Sequence, residues 1–184
     1  MRIISGQFKG LQNKSAIPIG VRPTTDKNRE IIFNILNNYI DFDGLNVLDL
    51  CAGTGFMGFE AISRGAKFCT FIEKSKKTCD FIKKSFLNFK INTEYYEILE
   101  YDVLKYLNNL KTERKYSLVF FDPPYNLNIS NQVINLIDNC DNILNEAVIC
   151  FEHGLFEHIL KPNSWSIISN KTEGESILDI FIKN

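Results

Sequence analysis

From residue 46 onward the chain alternates short apolar runs with helix-length segments, and that alternation admits few folds. NVLDL (46–50) is an apolar run ending at a glycine turn, and residues 56–65 read as a helix stopped by Gly65. KFCTFIE (67–73) is again strand-like, and 74–89 places Phe81, Ile82, Phe86 and Phe89 on one side of a helix. A strand over 95–99, a helix over 103–111 and the run YSLVFF (116–121) follow, the last apolar enough for a central strand. A helix near 130–140 and the strand AVICFE (147–152) complete the series. Strands separated by helices give β-α-β units, so the spacing predicts an α/β fold: a mostly parallel, Rossmann-like sheet with helices on both faces.

The two ends depart from this rhythm. Residues 164–182 hold two alternating runs joined by Asn170-Lys171-Thr172-Glu173-Gly174, which predicts a C-terminal β-hairpin. At the front, Arg2 to Lys9 reads as a short strand, and Asn13 to Thr25 is irregular, with Pro18, Gly20 and Pro23. A helix then starts near Asp26, whose carboxylate is the expected N-cap, and continues through Ile31, Ile32, Ile35 and Leu36. The expectation is one domain over 1–184, made of an N-terminal β/helix extension (1–40) and a catalytic core (46–184).

Composition excludes several classes. Hydrophobic residues make up 45% and charged residues 23%, ordinary for a soluble globular chain. No apolar run approaches the ~18 residues of a membrane span, and MRIISGQFKG lacks the apolar stretch of a signal peptide. A cytoplasmic protein is expected. Cys51, Cys69, Cys79, Cys140 and Cys150 are scattered and form no C-x-x-C pair, and only His153 and His158 could assist them. The expectation is therefore reduced thiols and no metal site. Net charge is −1, yet residues 1–30 carry six basic against two acidic side chains. Lys74, Lys76, Lys77, Lys83 and Lys84 read instead as a solvated helix face.

The segment Leu48-Asp49-Leu50-Cys51-Ala52-Gly53-Thr54-Gly55-Phe56-Met57-Gly58 carries G-x-G-x-x-G between a strand and a helix, and Glu73 follows Gly53 by 20 residues at the next strand's end. That spacing suits a ribose-bearing cofactor, with the acid on the ribose hydroxyls. By itself it admits NAD, FAD or S-adenosylmethionine. Asp49 decides between them: a carboxylate at the strand tip repels a pyrophosphate but attracts the ammonium and sulfonium of S-adenosylmethionine. Asp102, after the third strand, is open to two readings, an acceptor for the adenine amino group or the N-cap of the helix that follows.

Asp122-Pro123-Pro124-Tyr125 ends the fourth strand, at the carboxyl edge where open α/β sheets gather ligands. An aromatic amine is a poor nucleophile because its lone pair is delocalised into the ring. Two acceptors, Asp122 and a proline carbonyl, can take its N–H bonds and aim the lone pair at a methyl carbon, while the prolines keep N–H donors out of that wall. Tyr125 offers a face on which an extruded base could stack. D-P-P alone is also common loop punctuation; its pairing with the glycine turn about 70 residues earlier is what favours amino methylation.

Beyond these motifs, the chain resembles the RsmD family of 16S rRNA guanine-N2 methyltransferases over nearly its whole length. The resemblance rests on Arg2-Ile3-Ile4-Ser5-Gly6 with Phe8-Lys9-Gly10, on Arg22-Pro23-Thr24-Thr25-Asp26, and on Arg29-Glu30 with Phe33-Asn34. It extends through DLCAGTG (49–55), Glu60-Ala61, Ser63-Arg64-Gly65-Ala66, Glu73 and DPPY. Two positions depart from the family pattern: Ser85, where an Asn is usual, and Leu11, where a basic residue is. The resemblance implies a class I methyltransferase fold with S-adenosylmethionine as cofactor. Asp49, Gly53, Gly55, Glu73 and Asp102 would line the cofactor site, with Cys51, Thr54 and Lys74 beside them, and Asp122 to Tyr125 would hold the guanine. Arg2, Lys9, Arg22, Thr24, Thr25 and Arg29 would meet RNA, the alternative being that Thr24 to Asp26 form a helix cap and Arg29 partners a nearby acid. The implied partner is 16S rRNA or an assembling small subunit, met by a monomer without a membrane or a metal. An adenine-N6 methyltransferase acting on DNA or another RNA, a nucleotide-dependent oxidoreductase and a catalytically idle RNA-binding scaffold are the rival readings.

Overall fold

In the computed structural model, which describes residues 1–124 and 128–184, seven strands form one sheet in the order β3-β2-β1-β4-β5-β7-β6. Strands β1 (Asn46–Leu50), β2 (Phe68–Glu73), β3 (Tyr96–Glu100), β4 (Tyr116–Phe121) and β5 (Ile143–Gly154) are mutually parallel. β6 (Trp165–Glu173) and β7 (Ser176–Lys183) form the C-terminal hairpin, and β7 joins the sheet antiparallel to β5. Helix α1 (Asp26–Leu36) precedes β1, and helices α2 (Phe56–Ser63), α3 (Lys76–Phe89), α4 (Val103–Asn108) and α5 (Ser130–Asp138) occupy the connections between successive parallel strands. Strand order reverses between β1 and β4, so the carboxyl ends of those two strands flank a crevice.

The sheet is apolar on both sides because both are covered. Val47, Leu118, Phe120 and Val148 meet Phe33, Phe59 and Phe86 on one face. Leu48, Val119, Phe121 and Ile149 meet Val133, Ile134 and Leu107 on the other. This explains why β1 and β4 read as unbroken apolar runs rather than alternating ones.

Three local expectations are corrected. Residues 2–9 form no strand beyond an isolated bridge between Arg2 and Gln12; Gly6 and Gly10 have φ of +80° and +88° and turn the chain back on itself. The N-cap of α1 is Thr25, whose side chain accepts from Asn28 N–H at 3.1 Å, and Asp26 is the first helical residue. The hairpin reverses at Gly174–Glu175, later than the polar stretch suggested, because β6 keeps pairing with β7 as far as Glu173 opposite Ser176.

The N-terminal segment is pinned to α2 rather than to a strand. Glu60, 1% exposed, accepts from Ile4 N–H at 2.7 Å and Ser5 N–H at 3.0 Å and pairs with Arg64. Ser63 carbonyl accepts from Gln7 N–H, and Ser63 Oγ from Phe8 N–H. Ser85, one of the two family departures, accepts from the Asn13 amide and anchors the same segment farther along. A Cβ at Gly6 would fall 1.7 Å from the Ser63 carbonyl oxygen. Gly6→Ala should therefore cost about 2–4 kcal/mol through left-handed strain and overpacking, read by denaturant unfolding with rising amide exchange over residues 3–8. Unchanged stability and protection would show that this docking contributes nothing.

Candidate active site at the carboxyl edge of the sheet

The cleft at the β1/β4 crevice encloses about 470 Å³, within the range of small-molecule sites. Its floor is set by strand tips. β1 and β4 run in register, Asp49 opposite Phe120 and Leu50 opposite Phe121, so Asp122 emerges next to the turn that follows Leu50. Asp49, Glu73, Asp122 and Glu152 all line this one space.

Each acid is held differently. Asp49 is 3% exposed and accepts from Gly58 N–H at 3.1 Å, where the N-terminal turn of α2 presents its backbone donors. The close approach needs a glycine: a Cβ at Gly58 would lie 2.3 Å from the Phe71 ring. Burial first, and then the charges of Asp122 and Glu73, push Asp49 well above the usual carboxylate range, while the Gly58 N–H opposes them. Glu73 accepts from Gly53 N–H at 3.0 Å through one oxygen and from Ser75 N–H at 2.8 Å through the other, fixing the glycine turn against β2. Asp122 remains accessible through the cleft mouth. The surrounding walls nevertheless desolvate it, and with the Glu152 charge they raise its pKa, against an opposing pull from Arg22.

The turn itself is tight. Cys51, Gly53 and Gly55 have φ of +56°, +53° and +75°; two glycines make the path inexpensive, and Cys51 takes it as a non-glycine residue. Burial, and then the charges of the neighbouring carboxylates, push the Cys51 thiol up.

The cleft gathers most of the residues expected of it. Cys51, Gly53, Thr54, Lys74, Asp102, Pro123 and Pro124 line it together with the acids, and so do Arg22, Thr24 and Thr25 of the leading segment. Gly55 stands just behind, as the left-handed N-cap of α2. Asp102 does cap α4, accepting from Lys105 N–H at 3.1 Å, and it faces the cleft as well. Tyr125 lies outside the described residues. Arg2 and Lys9 are exposed and away from the cleft, Arg2 pairing with Asp26 at 3.2 Å.

Arg29 is corrected. It is completely buried, donating to the carbonyls of Thr24 and Arg2 and to the Asp26 carboxylate, with its guanidinium 5.1 Å from the Phe56 ring centre. It cannot reach RNA; it fastens the 22–25 strap over the cleft. The sequence reading missed Glu152 and Ser176, which sit on β5 and β7 and join the site through the sheet.

The family model described as Conserved hypothetical protein 95 matches residues 1–182. Ribosomal RNA small subunit methyltransferase D of Haemophilus influenzae is 34% identical over 95% of this chain and 89% of its own. Its namesake in Buchnera aphidicola (subsp. Acyrthosiphon pisum) is 36% identical over 92% and 86%. The solved structure of Escherichia coli yhhF superposes with a TM-score of 0.84 at 29% identity, covering 100% of this chain and 98% of that one.

The chain belongs to the RsmD family of methyltransferases. It is accordingly an S-adenosylmethionine-dependent methyltransferase of Rossmann-like fold, and the cleft suits that cofactor. Five carboxylates, Asp102 included, line it, which disfavours a pyrophosphate and favours a sulfonium and an ammonium.

Two predictions follow from the electrostatics and the tethering. With Asp49 and Asp122 raised, both are partly protonated in the free protein between the ordinary carboxylate value of about 4 and their raised values. A cation entering the cleft lowers both, so S-adenosylmethionine binding near pH 6 should release protons. Calorimetry in buffers of different ionisation enthalpy reads this, and identical heats in all buffers would refute it. Glu73→Ala should weaken S-adenosylhomocysteine binding by about 1–3 kcal/mol, and unaltered affinity would reduce Glu73 to a scaffold.

Proposed function

We propose that this enzyme methylates the exocyclic N2 amine of a guanine in the 16S rRNA of the small ribosomal subunit, working in the cytoplasm as a monomer on the particle or an assembly intermediate. The observation that carries this reading is Asp122, a carboxylate beside two prolines at the tip of β4, opening into the same cleft as the glycine turn of β1.

Asp49, Glu73 and Asp102, with the backbone of Gly53 to Gly55 and the walls at Cys51, Thr54 and Lys74, hold the cofactor. When bound, S-adenosylmethionine supplies an electrophilic methyl group whose bond to sulfur breaks as the new bond to nitrogen forms, leaving S-adenosylhomocysteine. Asp122 accepts one N–H of the target amine and a proline carbonyl of the tetrad accepts the other, which keeps the nitrogen lone pair on the methyl side. Asp122, its pKa already raised, then takes the proton that the methylated nitrogen sheds. The strap at Arg22, Thr24 and Thr25, held by buried Arg29, closes one side of the cleft and presents Arg22 toward the nucleotide. Arg2 and Lys9 on the extension supply phosphate contacts, which position the RNA without reading its sequence. The extension (1–40) and the core (46–184) thus act as one catalytic domain.

Transfer of labelled methyl groups to unmethylated small subunits, naked 16S rRNA and DNA, followed by nucleoside analysis, tests the reading. N2-methylguanosine in the rRNA is expected; N6-methyladenosine or labelled DNA would replace it with the adenine alternative. Asp122→Ala should retain S-adenosylhomocysteine binding and lose about 10²–10⁴-fold in turnover. Because a raised carboxyl is protonated at low pH, and is then a donor where an acceptor is needed, wild-type turnover should rise with pH along an acidic limb that Asp122→Ala lacks. Full turnover by the variant would remove Asp122 from the mechanism.

A further inference from the structure

Glu152 ends the apolar stretch of β5 as Asp122 ends that of β4. The two strands are parallel neighbours, and their last registered pair, Phe121 with Phe151, precedes both acids by one residue. Both carboxylates line the same cleft, and the Glu152 charge adds to the burial that raises Asp122. Glu152 is oriented from the far side: Ser176, 2% exposed at the start of β7, donates from Oγ to Glu152 Oε1 at 2.7 Å. Pro123 and Pro124 contribute no N–H donors to this wall, so what faces the base here is a row of acceptors.

Such a row selects among bases. On guanine the 2-amino group and the ring N1–H lie side by side on one edge, and both are donors. Adenine places its amine beside a bare N1, an acceptor. We infer that Glu152 accepts the N1–H of the target guanine next to the amine held by Asp122, and that this second acid makes the pocket choose guanine over adenine. The inference rests on the guanine-N2 reading above. An adenine in the same position sets its N1 lone pair against the Glu152 carboxylate, so a hydrogen bond is lost and replaced by repulsion. Sites built to hydrogen-bond a substrate group reject analogues lacking it far more strongly than apolar pockets reject a misfit. One acid alone recognises an amine, which both bases have; two adjacent acids recognise the pair of donors that only guanine offers.

The probe for this contact is 2,6-diaminopurine, which keeps the 2-amino group but carries an acceptor at N1 and an amine in place of O6, and the Glu152 variant separates the N1 change from the one at position 6. Small subunits are reconstituted with 16S rRNA bearing guanine, 2,6-diaminopurine or adenine at the mapped target. Wild-type enzyme should prefer guanine to 2,6-diaminopurine by about 10²-fold or more in kcat/KM. Glu152→Gln, equal in size and able to turn an amide N–H toward a ring nitrogen, should shrink that preference at least about ten-fold while S-adenosylhomocysteine affinity shows the fold intact. An unchanged preference in the folded variant overturns the inference. Should Glu152→Gln not fold, Ser176→Ala, which removes the hydroxyl orienting Glu152, must shrink the same preference by a smaller factor, and no change there overturns it equally. Wild-type enzyme that makes N2-methylguanosine yet treats guanine and 2,6-diaminopurine alike sinks this inference alone. Wild-type enzyme that labels adenine N6 sinks the underlying reading and the inference with it.

Discussion

Four carboxylates meeting at the tips of neighbouring parallel strands are the constraint around which the rest of this molecule is arranged. Burial in the cleft raises Asp49 and Asp122 above the usual carboxylate range, and the like charges of the neighbouring acids add to the shift. The fold tolerates the cluster because backbone donors are built against it: Gly58 N–H at Asp49, and Gly53 and Ser75 N–H at Glu73. Those donors reach the acids only because the glycine turn and the start of α2 come within van der Waals contact of β1 and β2. The sign of the cluster also separates this site from dinucleotide sites on the same strand–turn–helix. There the turn's N–H groups meet phosphate oxygens; here two of those N–H groups are already used on the protein's own acids, and what the cleft offers a ligand is negative charge.

The N-terminal extension is best understood as the fourth wall of the same cleft. A parallel sheet leaves its carboxyl edge open, and nothing in the β-α-β rhythm closes it. Residues 1–25 do so by crossing from α2, where Glu60 and Ser63 hold them, to the start of α1, where Arg29 ties Thr24 and Arg2 together from beneath. Burying a guanidinium is costly unless its donors are met, and here two carbonyls and a carboxylate meet its two terminal nitrogens, with the Phe56 ring beneath, while Nε has no partner among the described residues. Arg29 thereby couples the strap to a residue that itself lines the cleft, so the strap's position and the shape of the pocket are set together.

The core was legible in the sequence because it obeys short-range rules. Apolar runs bounded by glycine and polar turns located β1 to β5 within a few residues, and 3.6-residue periodicity located α1 and α3. The ends were less legible, since the partners that decide them are remote. Residues 2–9 look strand-like, but Glu60 and Ser63, more than 50 positions away, take their backbone groups. Arg29 looks like an RNA contact in a basic segment, and only the packing of the strap shows that its side chain faces inward. Glu152 was missed for a related reason: no motif contains it, and its neighbourhood with Asp122 exists only once β4 and β5 are paired. A signal was nevertheless present. β1, β2, β4 and β5 are each a run of apolar residues with an acid at or next to the carboxyl end, and an acid repeated at that one place in four strands marks the edge where a cation belongs.

Those four acids occupy equivalent places yet cannot do equivalent work, and their environments sort them. Asp49 is almost sealed and tied to a helix start, so it acts on a ligand chiefly through its charge. Glu73 has each oxygen engaged by a backbone N–H, which makes it a clamp on the turn that can still accept from hydroxyls, because a carboxylate has about four acceptor positions. Asp122 opens to the cleft just before two prolines, with Arg22 drawing its pKa back down. Glu152 is steered by a hydroxyl from the hairpin strand. The division runs across the switch point: on β1 and β2 the acids are bound into the scaffold and suit a cofactor that must be gripped the same way each time. On β4 and β5 they line the other side of the same cleft, Asp122 exposed and Glu152 half-buried. The C-terminal hairpin therefore does more than extend the sheet, since β7 supplies a hydroxyl that holds the last acid at the cleft.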